Sequence, residues 1–454
     1  MILHIAMVHF KVGTLDGVSI EMDMWRKVLE KRFGHRVTYL AGYVGQSNGH
    51  IIQEMELNYE PNLKIMKNAF SKFEDFDSEK ALELEIKSQI DQIKPKIRKF
   101  IDDYNIDFMI PNNILSFPLN IPASLALLEV IREKTIPGIS HNHDFFWERA
   151  YYRPTCSIVQ EYLQEYFPPD LPNFEHVVIN SIAQFNLRKR RGIESTVVPN
   201  VFDFKERIWV KDEYNSDLRE TLGINENDII FLQPSQILAT KGIELAIDLI
   251  IELNQTENLQ RLRDKPLYDG RKFGLNSKII LVMPNLIQDF IYKLRLEKKL
   301  QQLNIEYRFC NDYFAQYRYQ SRRTKNYSLW DIYVHSDIIT YPSLLEGWGN
   351  QFLEAINAKI PVYLFEYDVY KQDIGPLGFE TISLGSEIKE KDELGLVHVS
   401  NDVIKEASKK MILFLQDAKF REEAVEKNYQ IGLEKLSLKA LGNYIEPLLK
   451  SFTE

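Results

Sequence analysis

Short apolar segments alternate with helical patterns along the whole chain, and this alternation restricts the fold more than any other feature of the sequence. The clearest segments in the first part of the chain are residues 2–8, 37–41, 108–111, 137–140, 177–179 and 196–198. They are almost continuously apolar, which is typical of strands buried on both faces of a parallel sheet. Helices between such strands cover the two faces, so the pattern predicts an α/β fold.

The pattern starts again after about residue 205, which indicates a second domain. Its predicted strands are residues 229–232, 279–283, 338–341 and 362–365, with helices over residues 241–254 and 351–358. A chain of 454 residues is also too long for one ordinary hydrophobic core. We predict two Rossmann-like domains with parallel sheets, residues 1–204 and 205–430, and a C-terminal helix, residues 431–454, that packs back on the first domain. Such sheets bind ligands at the carboxyl ends of their strands, so two facing domains would hold theirs in a central cleft.

Three further patterns concern helices. Leucine and isoleucine recur at three- and four-residue steps from Leu82 to Ile101, which predicts a long amphipathic helix. Pro95 lies inside this helix and is expected to kink or break it. Residues 255–278 are polar without a periodic apolar face, which predicts a surface insertion. A last helical stretch, residues 407–452, is interrupted near residues 436–437.

Composition excludes several classes of protein. Hydrophobic residues make up 44% of the chain and charged residues 27%, as in soluble globular proteins. The net charge of −9 argues against a nucleic-acid partner, because phosphate binding requires a basic surface. The N-terminus lacks the features of a signal peptide, and no segment approaches the roughly 18 apolar residues of a transmembrane helix. Two distant cysteines, Cys156 and Cys310, fit a reducing compartment, so we expect a cytoplasmic protein.

One basic cluster, residues 188–191, contrasts with the acidic composition. Its sequence is Arg-Lys-Arg-Arg, and we interpret it as the solvated end of a helix. A weak peripheral contact with a membrane is the alternative, because basic clusters are attracted to anionic lipids.

The strongest functional pattern begins where the predicted strand 338–341 ends. Residues 341–355 read Tyr-Pro-Ser-Leu-Leu-Glu-Gly-Trp-Gly-Asn-Gln-Phe-Leu-Glu-Ala. The glycines let backbone N–H groups approach an anion, and the N-terminus of the following helix adds the positive end of its dipole. Two carboxylates flank this loop and can accept hydrogen bonds from sugar and ribose hydroxyls. The candidate site residues of the segment are Ser343, Glu346, Gly347, Trp348, Gly349, Asn350 and Glu354.

A second pattern follows the predicted strand 229–232. Lys241 lies at the predicted start of the next helix, where an ammonium group can neutralise a diphosphate. Gln236 lies five residues earlier and can donate hydrogen bonds, but it carries no charge. Both residues are candidates for binding the phosphates of a donor.

The loop after the first strand, residues 9–17, contains Gly13, Asp16 and Gly17. Glycine here either lets the loop approach a ligand or satisfies the backbone angles of a turn, and both interpretations stay open. We select Gly17 as a candidate donor contact. Asp16 is a candidate acceptor contact or a helix cap.

Polar residues also crowd residues 140–149, directly after a predicted strand of the first domain. His143 is the first candidate for catalysis because Asp144 can pair with it. His141 is a candidate donor contact and Asp144 a candidate acceptor contact. Two histidines and an aspartate can also bind a metal, but no third distant ligand is evident, so we predict no metal site.

These motifs resemble those of glycosyltransferase family 4, most specifically at residues 341–355 and 231–246. The family has the GT-B fold, two Rossmann-like domains facing a central cleft, and transfers sugars with retention. The resemblance implies that Glu346 contacts the transferred sugar, that Glu354 contacts the ribose and that Lys241 holds the diphosphate. It also implies that a histidine at the position of His143 faces the transferred sugar and that no metal is needed.

The chain departs from the family at Gln236, where the family has an arginine that also binds the diphosphate. The phosphate half of the site is therefore one cation short, and Arg308 and Arg318 are candidates to replace it. The departure motivates a second hypothesis, a catalytically weak protein of the same fold that binds nucleotide sugars or glycans.

We therefore predict a metal-independent, retaining hexosyltransferase with a UDP- or GDP-sugar as co-substrate and no other cofactor. Its partners would be this donor and a small-molecule or glycan acceptor. Residues 365–379 resemble a branch of the family that acts on small polar or phosphorylated acceptors, such as glucosylglycerate-type compounds. A nucleotide-sugar epimerase is a third hypothesis, and the spacing of Glu346 and Glu354 argues against it.

Overall fold

The computed structural model describes residues 2–14, 16–205, 209–315, 317–321 and 324–453. The chain divides into two compact units. Unit 1 comprises Met1–Val201 and Leu438–Glu454, and unit 2 comprises Phe202–Ser437. The predicted second domain ends at residue 430, whereas unit 2 continues to residue 437.

The strands and helices are numbered in chain order. The strands are β1 (His4–Val8), β2 (Lys11–Val12), β3 (Arg36–Ala41), β4 (Tyr43–Val44), β5 (Gly49–Ile51), β6 (Phe108–Pro111), β7 (Gly138–Asn142), β8 (Phe174–Val178), β9 (Thr196–Val197), β10 (Ile229–Leu232), β11 (Ile279–Met283), β12 (Glu306–Phe309), β13 (Phe314–Ala315), β14 (Tyr319–Gln320), β15 (Lys325–Ser328), β16 (Ile338–Tyr341), β17 (Val362–Leu364), β18 (Ile382–Ser383), β19 (Glu390–Lys391) and β20 (Val397–His398). The helices are α1 (Gly17–Lys31), α2 (Glu60–Phe70), α3 (Glu79–Tyr104), α4 (Ile121–Lys134), α5 (Ser157–Tyr166), α6 (Ser181–Arg191), α7 (Leu218–Thr221), α8 (Glu244–Leu253), α9 (Thr256–Asp264), α10 (Phe290–Gln302), α11 (Leu329–Tyr333), α12 (Asn350–Asn357), α13 (Asn401–Gln416), α14 (Ala418–Lys435) and α15 (Leu438–Thr453).

Unit 1 is built on a seven-stranded parallel sheet in the order β5-β3-β1-β6-β7-β8-β9. Successive residues of a strand point to opposite faces. Ala6 and Val8 of β1 accordingly share a core with α3 and α4, while Ile5 and Met7 share one with α1 and α15. Burial on both faces explains why the strands are continuously apolar.

Unit 2 is built on a six-stranded parallel sheet in the order β12-β11-β10-β16-β17-β18. All four residues of β10 are fully buried, because β11 and β16 flank this strand and helices cover the faces of the sheet. The predicted α/β fold with two Rossmann-like parallel sheets is therefore confirmed.

Pro95 does not end α3, which runs without a break from residue 79 to residue 104. The helix is anchored on both sides of the proline, since Ile90 and Ile97 are buried in the core of unit 1. Lys94, the preceding residue, forms an ion pair with Glu129 of α4. This packing outweighs the one backbone hydrogen bond that the proline removes, so the predicted break is wrong.

Two other predictions about helices need correction. Residues 255–278 are not only a surface insertion, because they contain α9 and place Leu262, Leu267 and Phe273 in the core of unit 2. Their irregular spacing hid this burial from a search for periodicity. The stretch 407–452 breaks near residues 436–437 as expected, but it also breaks at Asp417, whose carboxylate accepts a hydrogen bond from the Phe420 N–H and caps α14.

The basic cluster at residues 188–191 forms the last turn of α6. Its arginines have partners within unit 1: Arg188 pairs with Glu194, and Arg191 donates to the backbone oxygen of Pro168 at 2.9 Å. Residues 188–190 are exposed, so the cluster is the solvated end of a helix, as interpreted from the sequence. Within the described ranges, no helix is both long and apolar enough to cross a membrane.

Asp337 connects the amino-terminal ends of β10 and β16, and we expect its substitution to lower stability strongly. Its carboxylate is 1% exposed and accepts hydrogen bonds from the Ile230 N–H at 2.8 Å, from the Tyr268 hydroxyl at 3.1 Å and from Arg271. The substitution Asp337→Ala leaves the Arg271 guanidinium without its buried partner. We expect it to lower the free energy of unfolding by about 3 kcal/mol, measured by urea denaturation.

The matched control is Glu406→Ala, which removes one partner of an exposed ion pair on α13. We expect no measurable change from it, because exposed pairs contribute little. Equal small effects of the two substitutions would contradict the role assigned to Asp337.

Candidate active site

The order of the strands in unit 2 creates a crevice at the carboxyl edge of its sheet. β10 and β16 are neighbours, but the chain continues from β10 to β11 on one side and from β16 to β17 on the other. The loops after these two strands therefore diverge, and open α/β sheets bind ligands at such a switch point. The loop after β10 carries Lys241, and the loop after β16 carries Glu346.

Hydrogen bonds hold these two loops in register. The Thr340 hydroxyl donates to the Gln233 side-chain oxygen at 2.7 Å, and the Leu344 N–H donates to the Thr240 backbone oxygen at 2.8 Å. Gly242 has a positive φ of 55°, and a Cβ there would lie 2.4 Å from the Pro342 oxygen. The two backbones therefore touch, and a side chain at position 242 would separate them.

Lys241 lies in a short 3-10 turn that precedes α8, so the predicted helix 241–254 begins three residues later than expected. Its Nζ atom lies 2.5 Å from Oε1 of Glu346. The two side chains are only 15% and 13% exposed, so water screens their attraction less than at the surface. Each residue is the charge partner of the other.

Buried tyrosines shape the loop that carries Glu346. The Tyr367 hydroxyl donates to the Trp348 backbone oxygen. Gly349, at φ 129°, leaves no room for a Cβ, which would lie 2.5 Å from that hydroxyl. Burial and the charge of Glu346 raise the pKa of Tyr341 well above its ordinary value, so this residue remains a neutral wall of the site.

The other candidates of this segment lie around the same loop. Ser343 and Trp348 are buried, and Gly347 separates Glu346 from Trp348. Asn350 is the first residue of α12, one residue before the predicted start of that helix. The loop is thus followed by a helix N-terminus, and the positive end of a helix dipole favours anions.

Glu354 lies in the second turn of α12 and accepts a hydrogen bond from the Tyr333 hydroxyl at 2.7 Å. Burial raises the pKa of Glu354 to about 7, against the opposite effect of the Tyr333 hydrogen bond. The carboxylate therefore titrates in the physiological range. Tyr333 was not among the predicted site residues.

Gln236 is half-buried in the loop after β10. The two arginines proposed to replace its missing charge make other contacts. Arg308 donates to the backbone oxygens of Leu222 and Gly223. Arg318 pairs with Asp331. These contacts do not support either arginine as a replacement for the missing charge.

Unit 1 has a corresponding switch point between β1 and β6. Asn112 and Asn113 follow β6 and organise the surrounding loops. The Asn112 backbone oxygen contacts Nδ1 of His9 at 2.7 Å, and the Asn112 side-chain oxygen contacts Nδ1 of His141 at 3.0 Å. The Asn113 side-chain oxygen accepts a hydrogen bond from the backbone N–H of His143 at 2.7 Å.

His141 and His143 lie together at the end of β7, with ring centroids 4.1 Å apart. Burial lowers the pKa of His143 to about 4 and that of His141 well below its ordinary value. Both rings are therefore neutral at pH 7. Among the described residues, Nε2 of neither buried ring has a hydrogen-bond partner.

Asp144 does not pair with His143, which was the reason for choosing that histidine. Its carboxylate lies 2.7 Å from the Arg149 guanidinium and accepts a hydrogen bond from Asn113. The preference for His143 therefore rests on its buried position at the strand end. The described residues contain no group of three or more His, Cys, Asp or Glu side chains that could hold a metal.

The loop at residues 9–17, described except for Leu15, leads into α1 and provides the residue that caps it. Asp16 caps α1 by accepting hydrogen bonds from the N–H and the hydroxyl of Ser19. Burial alone would raise the pKa of Asp16, but hydrogen bonds and the charge of Lys11 hold it below its ordinary value. Gly17 is the first residue of α1, and Gly13, at φ 70°, is the glycine whose conformation the turn requires.

Two groups of site residues were missed in the sequence. The pair Asn112 and Asn113 directly follows a buried strand, and that position could have identified it. The tyrosines at positions 333, 341 and 367 read as ordinary core residues. Their role depends on which carboxylate or carbonyl each hydroxyl meets, and sequence spacing does not encode that.

Comparison with known proteins identifies the family. No family model matches the chain. It is 39% identical over 417 residues to the mannosylglucosylglycerate synthase of Petrotoga mobilis, covering 91% of this chain and 94% of the relative. It is 37% identical over 440 residues to the enzyme of the same name from Thermotoga maritima, covering 97% and 98%.

Solved structures agree on the fold. A glycosyltransferase from Rickettsia africae superposes with a TM-score of 0.60 at 13% identity, covering 98% of this chain and 99% of that one. Sucrose-phosphate synthase from Thermosynechococcus elongatus gives 0.60 at 12% identity and covers 99% of both chains. The predicted GT-B fold and glycosyltransferase class are confirmed: the chain belongs to the family of the mannosylglucosylglycerate synthases.

Proposed function

We propose that this enzyme transfers a hexose, with retention and without a metal, from a UDP- or GDP-sugar to a hydroxyl of an acidic glycoside. The observation that carries the proposal is the ion pair between Lys241 and Glu346 at the switch point of unit 2. It brings one cation and one carboxylate together at the carboxyl edge of the sheet, which supports a site for a phosphate beside a sugar ring.

Donor binding would exchange the partners of this pair. The diphosphate carries more negative charge than one carboxylate, so Lys241 would transfer to it, and Glu346 would become free to accept hydrogen bonds from the hexose hydroxyls. Glu354 would accept those of the ribose. The N-terminus of α12 would supplement the single cation, because its N–H groups favour anionic oxygens.

Catalysis would come from stabilising the charge that grows on the leaving diphosphate. Breakage of the bond between the anomeric carbon and the phosphate oxygen leaves that charge next to Lys241. The acceptor hydroxyl would attack from the same face and pass its proton to the leaving phosphate, which gives retention without a covalent sugar–enzyme intermediate. His143, neutral at pH 7, would offer a hydrogen bond to the transferred sugar.

The relatives' name suggests the acceptor. Their product, mannosylglucosylglycerate, indicates transfer of mannose to glucosylglycerate, whose glycerate group carries a carboxylate. Unit 1 has two cations near the carboxyl edge of its sheet, Lys11 beside Asp16 and Arg149 beside Asp144. We infer that Lys11 and Arg149 recognise the carboxylate of the acceptor. Each cation would leave its aspartate for that carboxylate, as Lys241 would leave Glu346 for the diphosphate.

The test combines a donor screen with product analysis. UDP, GDP, ADP and their mannose and glucose conjugates are tested by thermal shift, since a bound ligand raises the melting temperature. The donor that stabilises the protein is then incubated with glucosylglycerate in the presence and absence of EDTA. We expect a new glycoside in both samples, with the donor's anomeric configuration shown by NMR.

Other outcomes would separate the alternatives. Tight donor binding without transfer to any acceptor would favour a sugar-nucleotide-binding protein, which is the hypothesis that Gln236 motivated. An altered sugar nucleotide formed without acceptor would favour an epimerase. Loss of transfer with EDTA would contradict independence from metal.

The exchange of partners predicts opposite effects of two substitutions on binding of the free nucleoside diphosphate. Lys241→Ala removes the cation, and we expect it to weaken binding at least tenfold and to lower turnover by roughly 100-fold, as when an oxyanion donor is lost. Glu346→Gln removes the competing carboxylate, and we expect binding to become about tenfold tighter while transfer falls. Isothermal titration calorimetry measures both affinities.

The control is Glu306→Gln, which removes the charge from an exposed ion pair with Lys278 in the same unit. It is expected to leave affinity and turnover unchanged. Unchanged or weaker binding by the Glu346→Gln protein would show that the ion pair does not compete with the diphosphate.

A further inference from the structure

Tyr333 is a candidate for a role in donor binding that neither the sequence motifs nor the relatives assign. Resting on the proposed function, we propose that Tyr333 is a positioning residue: its hydroxyl orients the Glu354 carboxylate for the donor's ribose and stabilises the charged form of that carboxylate. The residue acts through Glu354 and makes no contact with the reacting atoms.

The contact joins two separate elements of unit 2. Tyr333 is the last residue of α11 and is fully buried, and its hydroxyl donates to Oε2 of Glu354, on α12, at 2.7 Å. Burial and the neighbouring charge of Glu354 raise the pKa of Tyr333 well above its ordinary value. The phenol therefore keeps its proton and serves as a hydrogen-bond donor at any physiological pH.

Aromatic packing fixes the ring of Tyr333. Trp209 lies 5.1 Å from it between ring centroids, and Trp209 in turn stacks on Trp330 at 5.6 Å with 23° between the planes. Trp330 and Tyr333 belong to the same short helix, and Trp209 packs against both rings. A hydroxyl on a braced ring holds its acceptor in one orientation at little cost in side-chain entropy.

The hydrogen bond also opposes the effect of burial on Glu354. A ribose diol is best held by an ionised carboxylate, which accepts a hydrogen bond from each hydroxyl, whereas a protonated acid loses part of that capacity. With its pKa near 7, Glu354 would lose this charge readily. A hydrogen bond to the charged form of a carboxyl group lowers its pKa, so removing the Tyr333 hydroxyl should raise the pKa of Glu354 further.

Several charged groups on the elements around α12 have partners of their own, among them Asp331 of α11, which pairs with Arg318. Glu346, in the loop after β16, holds Lys241. On α14, Glu426 pairs with Lys359, and Arg421 donates to the Asp337 backbone oxygen. The Tyr370 hydroxyl contacts Thr381. The two influences on the pKa of Glu354 are accordingly burial and the Tyr333 hydrogen bond.

The test compares Tyr333→Phe, which keeps the ring and removes the hydroxyl, with the wild-type enzyme. Calorimetry from pH 6 to pH 9 measures binding of whichever of UDP and GDP stabilises the wild-type protein, and of its 2′-deoxy analogue. The ratio of the two affinities isolates recognition of the ribose, because titration of the phosphate affects both ligands equally. Steady-state kinetics give KM for the donor and kcat.

We expect Tyr333→Phe to weaken the ribonucleotide about tenfold at pH 7 and the 2′-deoxy analogue less than twofold. The pH below which the affinity ratio falls should move upward from about 7, because the carboxylate then ionises only at higher pH. KM should rise while kcat changes little. Glu354→Gln, which cannot titrate, should abolish the pH dependence of the ratio.

The control is Tyr363→Phe, because Tyr363 is equally buried in unit 2 but donates to a backbone oxygen, that of Leu245. It should leave the affinity ratio and its pH dependence unchanged. Equal weakening of both nucleotides by Tyr333→Phe, or an unchanged pH midpoint, would overturn the role of Tyr333 alone. Failure of the wild-type enzyme to bind either UDP or GDP would overturn the proposed function as well.

Discussion

The ion pair between Lys241 and Glu346 is the interaction on which the candidate donor site depends. It forms because β10 and β16 are adjacent in the sheet while their loops diverge, and because Gly242 lets the two backbones touch. An unpaired charge in this half-buried position would be costly. The pair therefore gives each side chain a partner, and in the proposed exchange the diphosphate would take the place of Glu346 beside the lysine.

The two units use the same topology for different chemistry. In unit 2, the switch point holds two opposite charges, Lys241 and Glu346, and the proposed donor would replace one of them as the partner of the other. In unit 1, it holds neutral polar groups: Asn112 and Asn113 orient His141 and His143, and burial keeps both imidazoles uncharged. Ion pairs at the edge of this cluster, Lys11 with Asp16 and Arg149 with Asp144, supply the charge that an acidic acceptor would need.

Much of the fold was readable because burial on both sides of a parallel sheet produces continuous apolar runs, and β6, β10, β11 and β16 begin and end where the sequence predicts. Glycines between a strand and a helix likewise identified the loop of Glu346. Prediction failed where tertiary packing overrides local pattern. Pro95 lies inside an intact helix because its neighbours are buried. Phe273 is buried although the surrounding sequence has no apolar periodicity that would predict it.

Side-chain partners were the least predictable feature. Adjacent positions suggested that Asp144 pairs with His143, but Arg149 five residues later takes that carboxylate. Glu354 was identified from its spacing to Glu346, whereas its partner Tyr333 lies on another helix. Such contacts depend on the direction of each side chain after folding, which a motif does not specify.

The central claim is that the diphosphate displaces Glu346 from Lys241. A crystal structure of the enzyme with the bound nucleoside diphosphate tests it most directly, through the distances from Nζ of Lys241 to the phosphate oxygens and to Oε1 of Glu346. The account predicts a contact between Nζ of Lys241 and a phosphate oxygen. It also predicts that the distance from Nζ to Oε1 of Glu346, 2.5 Å in the present structure, increases beyond the roughly 4 Å limit of an ion pair. A bound nucleotide with the Lys241–Glu346 contact still intact would contradict it.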